Sequence, residues 1–398
     1  MSETKRKVPK LRFPGFTEDW EQRKSEDIFI SITDKGHSGL PVLSASQEWG
    51  MIRRDEGGID IQHDKANENT YKRVLPGQFV IHLRSFQGGF AYSEIEGITS
   101  PAYTVIDFKN QSEHYPLFWK HVFKSSVFIK RLETITYGIR DGRSISFSDF
   151  KTLSFRYPTL DEQKNIADSI EVFEKYITLH QRKLENLKLK KKALLQKLFP
   201  KNGEKFPELR FPGFTDAWEQ RKSEDIFISI TDKGHSGLPV LSASQEWGMI
   251  RRDEGGIDIQ HDKANENTYK RVLPGQFVIH LRSFQGGFAY SEIEGITSPA
   301  YTVIDFKNQS EHYPLFWKHV FKSSVFIKRL ETITYGIRDG RSISFSDFKT
   351  LSFRYPTLDE QKNIADSIEV FEKYITLHQR KLEHLQLQKK ALFQQMFV

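Results

Sequence analysis

Apolar residues follow two rhythms along this chain, and each rhythm occurs twice. In the first, short runs of β-branched and aromatic residues lie between turn residues. Gln78–Leu83 and Ala102–Phe108 predict strands, punctuated by Pro76-Gly77 and Gly88-Gly89. Leu117–Leu132 sets Phe118, Val122, Ile129 and Leu132 along one face and predicts a helix. Leu153–Tyr157 alternates again and stops at Pro158. The second rhythm starts at Thr159. Ile166, Ile170, Phe173, Ile177, His180, Leu184, Leu187, Lys191, Leu194 and Leu198 fall four and three residues apart, the spacing of a coiled-coil seam. Neither Gly nor Pro interrupts the ladder before Pro200. A helix of about 40 residues spans about 60 Å. Thr159-Leu160-Asp161-Glu162 fits a capping box, in which Thr and Glu side chains satisfy free amides at the helix start.

Both rhythms repeat because the chain is one module written twice. Every residue from Trp20 to Glu185 recurs from Trp218 to Glu383, displaced by 198 positions. Differences gather at the edges. Glu18 becomes Asp216, Asp19 becomes Ala217, Asn186 becomes His384 and Leu195 becomes Phe393. Lys188, Lys190 and Lys197 become Gln386, Gln388 and Gln395. The second ladder runs through Ile364, Ile368, Phe371, Ile375, Leu382 and Leu385, matching Ile166, Ile170, Phe173, Ile177, Leu184 and Leu187. A helix with such a stripe buries it against another element. The simplest partner is the second copy's helix, running antiparallel if the two globular parts are related by a twofold. The expected fold is α+β: two globular α/β domains separated by two long antiparallel coiled-coil helices, with pseudo-twofold symmetry. His180 and Lys191 interrupt the seam and read as positions that set its register.

Composition narrows the chemistry. The 398 residues carry 32 Phe, mostly core, and no Cys. That excludes disulfides, thiolate nucleophiles and Cys-based metal sites, and fits a cytoplasmic protein. No apolar run approaches the length of a membrane span, and the opening Met-Ser-Glu-Thr-Lys-Arg-Lys leads into no signal-peptide core. The net charge of +7 suits a polyanion partner such as nucleic acid.

Motifs for catalysis are missing. The sequence lacks a phosphate loop, a dinucleotide loop, a nucleophile elbow, a zinc helix and the Asn/Asp-Pro-Pro-aromatic motif of amino-methyltransferases. Glu162-Gln163-Lys164 matches the end of a nuclease metal motif only superficially, and the expected set of catalytic and metal-binding residues is empty. Binding chemistry remains. His82–Gly89 leaves a predicted strand for a glycine turn, with Arg84 placed to read guanine, Gln87 adenine, and Ser85 between them. Tyr137–Ser144 is a second such loop, carrying Arg140 and Arg143. Arg54, beside Arg53, and the pair Lys72 and Arg73 suit phosphates. The second copy repeats these as Arg282, Ser283, Gln285, Arg338, Arg341, Arg252, Lys270 and Arg271.

Four stretches carry a family resemblance: Pro9–Phe16, Leu75–Phe79, Ser100–Tyr103 and the junction Tyr157–Ala167 leading into the long helix, all recurring in the second copy with Glu208 in place of Lys10. The chain resembles the specificity (S) subunit of type I restriction–modification systems, and the opening resembles staphylococcal members. The resemblance covers essentially the whole chain. It implies target recognition domains at 1–158 and 207–356, conserved-region helices at 159–199 and 357–398, and a linker at 200–206. Each domain would read one half of a split site on double-stranded DNA. The helices, through their seam residues, would space the domains and dock two modification (M) subunits. Those subunits carry S-adenosylmethionine; restriction (R) subunits use ATP and Mg2+; the S subunit holds no cofactor and catalyses nothing. This chain departs from the usual pattern in having identical recognition domains. The expected target is therefore an interrupted palindrome, with half-sites at most about 18 base pairs apart along a rod of this length. The competing readings are a self-sufficient nuclease or methyltransferase, and a coiled-coil scaffold without a DNA role.

Overall fold

Phe79, Val80 and Ile81 form a strand buried on both faces, and each globular domain is layered around that strand. The computed structural model describes residues 8–46, 48–56, 65–82, 89–135, 145–201, 203–244, 247–254, 263–280, 287–330 and 343–397. In the first copy the strands are β1 (Glu21–Lys24), β2 (Phe29–Ile32), β3 (Leu43–Ser46), β4 (Gly50–Arg53), β5 (Lys72–Val74), β6 (Phe79–Ile81), β7 (Phe90–Tyr92), β8 (Gly97–Thr99), β9 (Thr104–Phe108) and β10 (Ser154–Tyr157). The helices are α1 (Ser25–Ile28), α2 (Pro116–Lys124), α3 (Ser126–Leu132), α4 (Phe147–Thr152) and α5 (Leu160–Leu198). The second copy repeats this order and ends in a second long helix, Leu358–Met396.

An antiparallel sheet of order β2-β9-β6-β7 divides each domain. Strand alternation sends Phe29, Phe79, Ile81, Ile106 and Phe108 to one side, where they meet Trp119, Phe123, Phe150 and Phe155. The abundance of Phe is explained here, by rings packed edge-on or tilted at centroid distances of 5.0–6.2 Å. Val80 and Val105 point to the other side, toward Leu43, Met51 and Val74 in the β3–β4 and β5–β8 pairs. Gly97 is required there: a Cβ would sit 2.4 Å from the Pro41 carbonyl oxygen. Strand β1 pairs with β10, Glu21 opposite Tyr157, and closes the domain just before α5 begins.

The helix expected over Leu117–Leu132 is two helices. Ser125 adopts an extended conformation, ends α2 and caps α3, its hydroxyl accepting from the Phe128 amide. The serine supplies the competing hydrogen bond that a continuous helix would lack. The break lets Phe118, Trp119, Phe123 and Phe128 all reach one core.

The chain divides into two compact units, Met1–Gln181 with Arg380–Val398, and Arg182–Gln379. The antiparallel run of the long helices is visible inside each. In the first unit, Ile166 and Ile170 of α5 share a core with Leu392, Phe393, Met396 and Phe397, while Glu174 meets Lys389 at 2.5 Å. Rising along α5 therefore means descending the other helix. In the second unit, Ile364 and Ile368 pack with Leu194, Leu195 and Leu198, and Glu372 meets Lys191 at 2.5 Å. Lys191 is half-buried and ion-paired with a carboxylate of the other helix. All ten ladder positions of α5 are buried or half-buried, and His180 is half-buried.

Candidate nucleic-acid interface

The junction between domain and helix is held by two polar clamps. Glu162, expected as a local cap, is drawn instead to Arg12. Arg12 Nε donates to Oε1 at 2.8 Å and Nη2 to Oε2 at 2.7 Å, a bidentate pair in which the carboxylate is almost completely buried. Gln163 is fully buried; its Oε1 accepts from the Tyr115 amide at 2.9 Å, and its Nε2 donates to the Glu113 and Pro158 carbonyls at 3.0 and 2.9 Å. Arg210 with Glu360 and Gln361 repeat both arrangements. Both clamps join segments far apart in sequence, so no local pattern announces them. A cavity of about 450 Å³ lies beside the junction, lined by Arg12 and Arg23 but also by Glu18, Asp19, Glu21 and Glu113. Such mixed walls do not suit a polyanion, and none of the expected DNA contacts lines it.

A third clamp ties α2 to α5. Lys120 Nζ lies 2.9 Å from Glu171 Oε1, and His121 Nε2 lies at the same distance. Burial opposes charge on Glu171, but the close approach of His121 and the Lys120 hydrogen bond prevail and hold it at about 2. Burial pushes His121 below its ordinary value, so Lys120 supplies the lasting positive charge. Phe393 stands against His121, rings 5.5 Å apart, and under Lys389. Leu195 occupies the matching position in the second unit.

Of the expected DNA-contact residues, Arg84, Ser85, Gln87, Arg140 and Arg143, with Arg282, Ser283, Gln285, Arg338 and Arg341, lie outside the described residues. The segments that carry them end on one aromatic cluster. The His82 amide donates to the Gly89 carbonyl at 3.0 Å, and Phe90 follows. Phe90 meets Phe128, near the start of α3, at 5.1 Å, and Phe150 of α4 at 5.0 Å. Ile145, just after the second loop, is buried in the same core. Phe288, Phe326 and Phe348 repeat the cluster. Phe90 and Ile145, distant in sequence, therefore share one core.

The described basic candidates sit on the β3–β4 and β5–β8 layer. Lys72 Nζ donates to the Tyr103 carbonyl, and burial, aided by the Lys35 charge, lowers its pKa. Arg73 binds Glu96 at 2.5 Å and approaches Asp34 at 3.6 Å; the Glu96 hydrogen bond raises its pKa. Arg54 Nε donates to Ser44 Oγ at 3.3 Å. Lys270, Arg271 and Arg252 repeat these contacts. Lys72 and Arg73 thus serve their own domain's packing first. Among the described residues, no group of three or more His, Asp or Glu side chains forms a metal site, and no helix is long and apolar enough to cross a membrane.

On the long helices the seam residues are turned inward. Ile166, Ile170 and Leu184, with Ile364 and Ile368, are buried; Phe173, Ile177 and Leu187, with Phe371, Ile375, Leu382 and Leu385, are half-buried. A second apolar stripe, which the ladder did not announce, faces outward: Val172, Tyr176 and Leu179, repeated as Val370, Tyr374 and Leu377, are about half exposed.

Comparison with known proteins bears on this arrangement. Residues 17–189 and 216–387 each match the family model described as the type I restriction modification DNA specificity domain. A protein of Methanocaldococcus jannaschii, described as a type I restriction enzyme MjaX specificity subunit, is 23% identical over 412 residues, covering 94% of this chain and 92% of its own. The crystal structure of a type I restriction–modification system S subunit from M. genitalium superposes with a TM-score of 0.62 at 13% identity, covering 98% of this chain and 99% of the other.

Proposed function

Because the chain belongs to the type I restriction modification DNA specificity family, we propose that it reads a split, inverted-repeat DNA site with two copies of one recognition domain. The observation that carries this is the identity of the two domains from Trp20 to Glu185 and from Trp218 to Glu383. Identical side chains on identical folds read identical bases. The antiparallel pairing of helix segments within each unit supports an inverted rather than a direct repeat of the half-sites. Arg84, Ser85, Gln87, Arg140 and Arg143, with their second-copy equivalents, are proposed base and phosphate contacts. Phe90 and Ile145, which follow the two proposed reading segments, share one core, and this supports one composite reading surface. Arg54 and Arg252 are proposed phosphate contacts, and Lys72, Arg73, Lys270 and Arg271 secondary ones.

The chain acts as a non-catalytic subunit of a cytoplasmic complex. Two M subunits bring S-adenosylmethionine and R subunits bring ATP and Mg2+, while this chain holds no cofactor. The seam residues hold the chain's own helices together. The outward stripe Val172–Tyr176–Leu179, with its second copy, is the face available to an M subunit. Sequencing methylated adenines in a genome that carries this subunit tests the reading.

A further inference from the structure

Six tryptophans occur in the chain, and four of them, Trp20, Trp119, Trp218 and Trp317, are at most 4% exposed. Trp49 and Trp247 are 66% and 64% exposed. Trp49 lies at the turn between β3 and β4, and its amide donates to Ser46 Oγ at 3.2 Å. The strand after the turn packs closely on its neighbour. Gly50 has φ +74°, and a Cβ on it would sit 2.3 Å from the Tyr92 carbonyl oxygen, so the hairpin presses directly on β7. Met51 bridges to Ser93 beside it. Strand β7 is the one that leaves the first proposed reading loop. At the turn, Lys124 Nζ donates to the Glu48 carbonyl at 3.3 Å, while Arg53 and Arg54 lie at the opposite end of the hairpin, beside Asp55 and on Ser44. Trp247 repeats the arrangement, with Gly248 against Tyr290.

A large aromatic side chain held in water at a turn gains free energy once a partner covers it. Here a lysine lies at the turn, the proposed partner is a polyanion, and each domain presents one such ring. We propose that Trp49 and Trp247 are DNA contacts, apolar wedges pressed against base steps of duplex DNA at the edge of each half-site. The proposal rests on the DNA-reading function above and adds a residue outside both glycine-bracketed loops. Protein wedges of this kind unstack and bend a duplex, and an aromatic platform tolerates many base sequences. Trp49 would thus add affinity and DNA deformation while the loops choose the bases.

The test titrates the full chain with a long mixed-sequence duplex at low salt, following tryptophan emission and affinity together. Binding is expected to quench the emission of the exposed pair. The double variant Trp49→Ala with Trp247→Ala is expected to abolish that quench and weaken binding roughly fivefold or more. Its salt dependence should match the wild type's, since no charge is lost. Phe at both positions should restore most of the affinity, and unchanged circular dichroism shows that the fold is intact. Wild-type binding without any change in emission, or alanine-variant binding as tight as wild type, overturns the proposal. A chain that binds no duplex at all contradicts instead the DNA-reading function on which it rests.

Discussion

The guanidinium of Arg12 holds the buried carboxylate of Glu162 through two parallel hydrogen bonds, of 2.8 and 2.7 Å. One residue belongs to the opening Leu-Arg-Phe-Pro-Gly-Phe segment, the other to the first turn of α5. Arg12 Nη1 also donates to the Glu18 carbonyl at 2.7 Å, so the opening segment is fastened onto the helix start. Arg12→Ala with Arg210→Ala leaves a buried carboxylate unpaired in each domain. Chemical denaturation should show a loss of about 2–4 kcal/mol per domain, and adding Glu162→Leu with Glu360→Leu should recover part of it.

Acid should unfold the domains in two windows. Burial against Phe108 and Tyr157 pushes His114 down to about 4 from an ordinary 6.5, and His312 likewise. The unfolded chain binds that proton first, so stability falls as pH drops from about 6.5 to 4. Glu171 and Glu369, at about 2 against an ordinary 4.5, contribute stability that is present above pH 4.5 and lost between about 4.5 and 2. Each group accounts for at most about 2–3 kcal/mol. Denaturation midpoints measured against pH should show a smaller upper window in His114→Phe with His312→Phe, where buried His121 and His319 still contribute, and a smaller lower one in Glu171→Gln with Glu369→Gln.

The last residues of the chain complete the first domain. Phe397 packs on Phe118 with ring centroids 5.8 Å apart, and the Leu11 amide donates to the Gln395 carbonyl at 3.0 Å. Phe199 and Lys197 make the matching contacts for the second domain, on Phe316 and Leu209. Deleting residues 392–398 should therefore destabilise the first domain and spare the second. Limited proteolysis with mass spectrometry reads this out as early cleavage within residues 8–160 alone.

Register should respond to charge reversal. Glu174→Lys with Glu372→Lys sets like charges against Lys389 and Lys191 and should lower the melting temperature. Adding Lys389→Glu with Lys191→Glu rebuilds both pairs and should restore most of it. A quadruple variant no better than the double would mean that these pairs do not set the register.

The long helices were legible in the sequence because seam spacing is a local signal, and every ladder position of α5 turned inward as that spacing requires. Lys191, which looked like an interruption, is explained by a carboxylate on the other helix. The strands around Phe79 and Val105 were legible for the same reason, since a short run of β-branched and aromatic residues between turns is a local signal. Contacts made across the fold were not. Glu162 looked like a cap because its partner lies 150 residues earlier. The helix over Leu117–Leu132 looked continuous because its apolar spacing survives across Ser125, while the break depends on that residue's hydroxyl. Nothing in the local sequence marked Trp49, whose exposure at the β3–β4 turn is set by the fold. The outward stripe at Val172 hid beside the stronger seam.

The most direct measurement is the methylated-adenine map of a genome modified through this subunit. Identical recognition domains predict one interrupted palindrome: a half-site, a fixed gap and the reverse complement of that half-site, with one methylated adenine in each half on opposite strands. Two unrelated half-sites, or a direct repeat, would contradict the account.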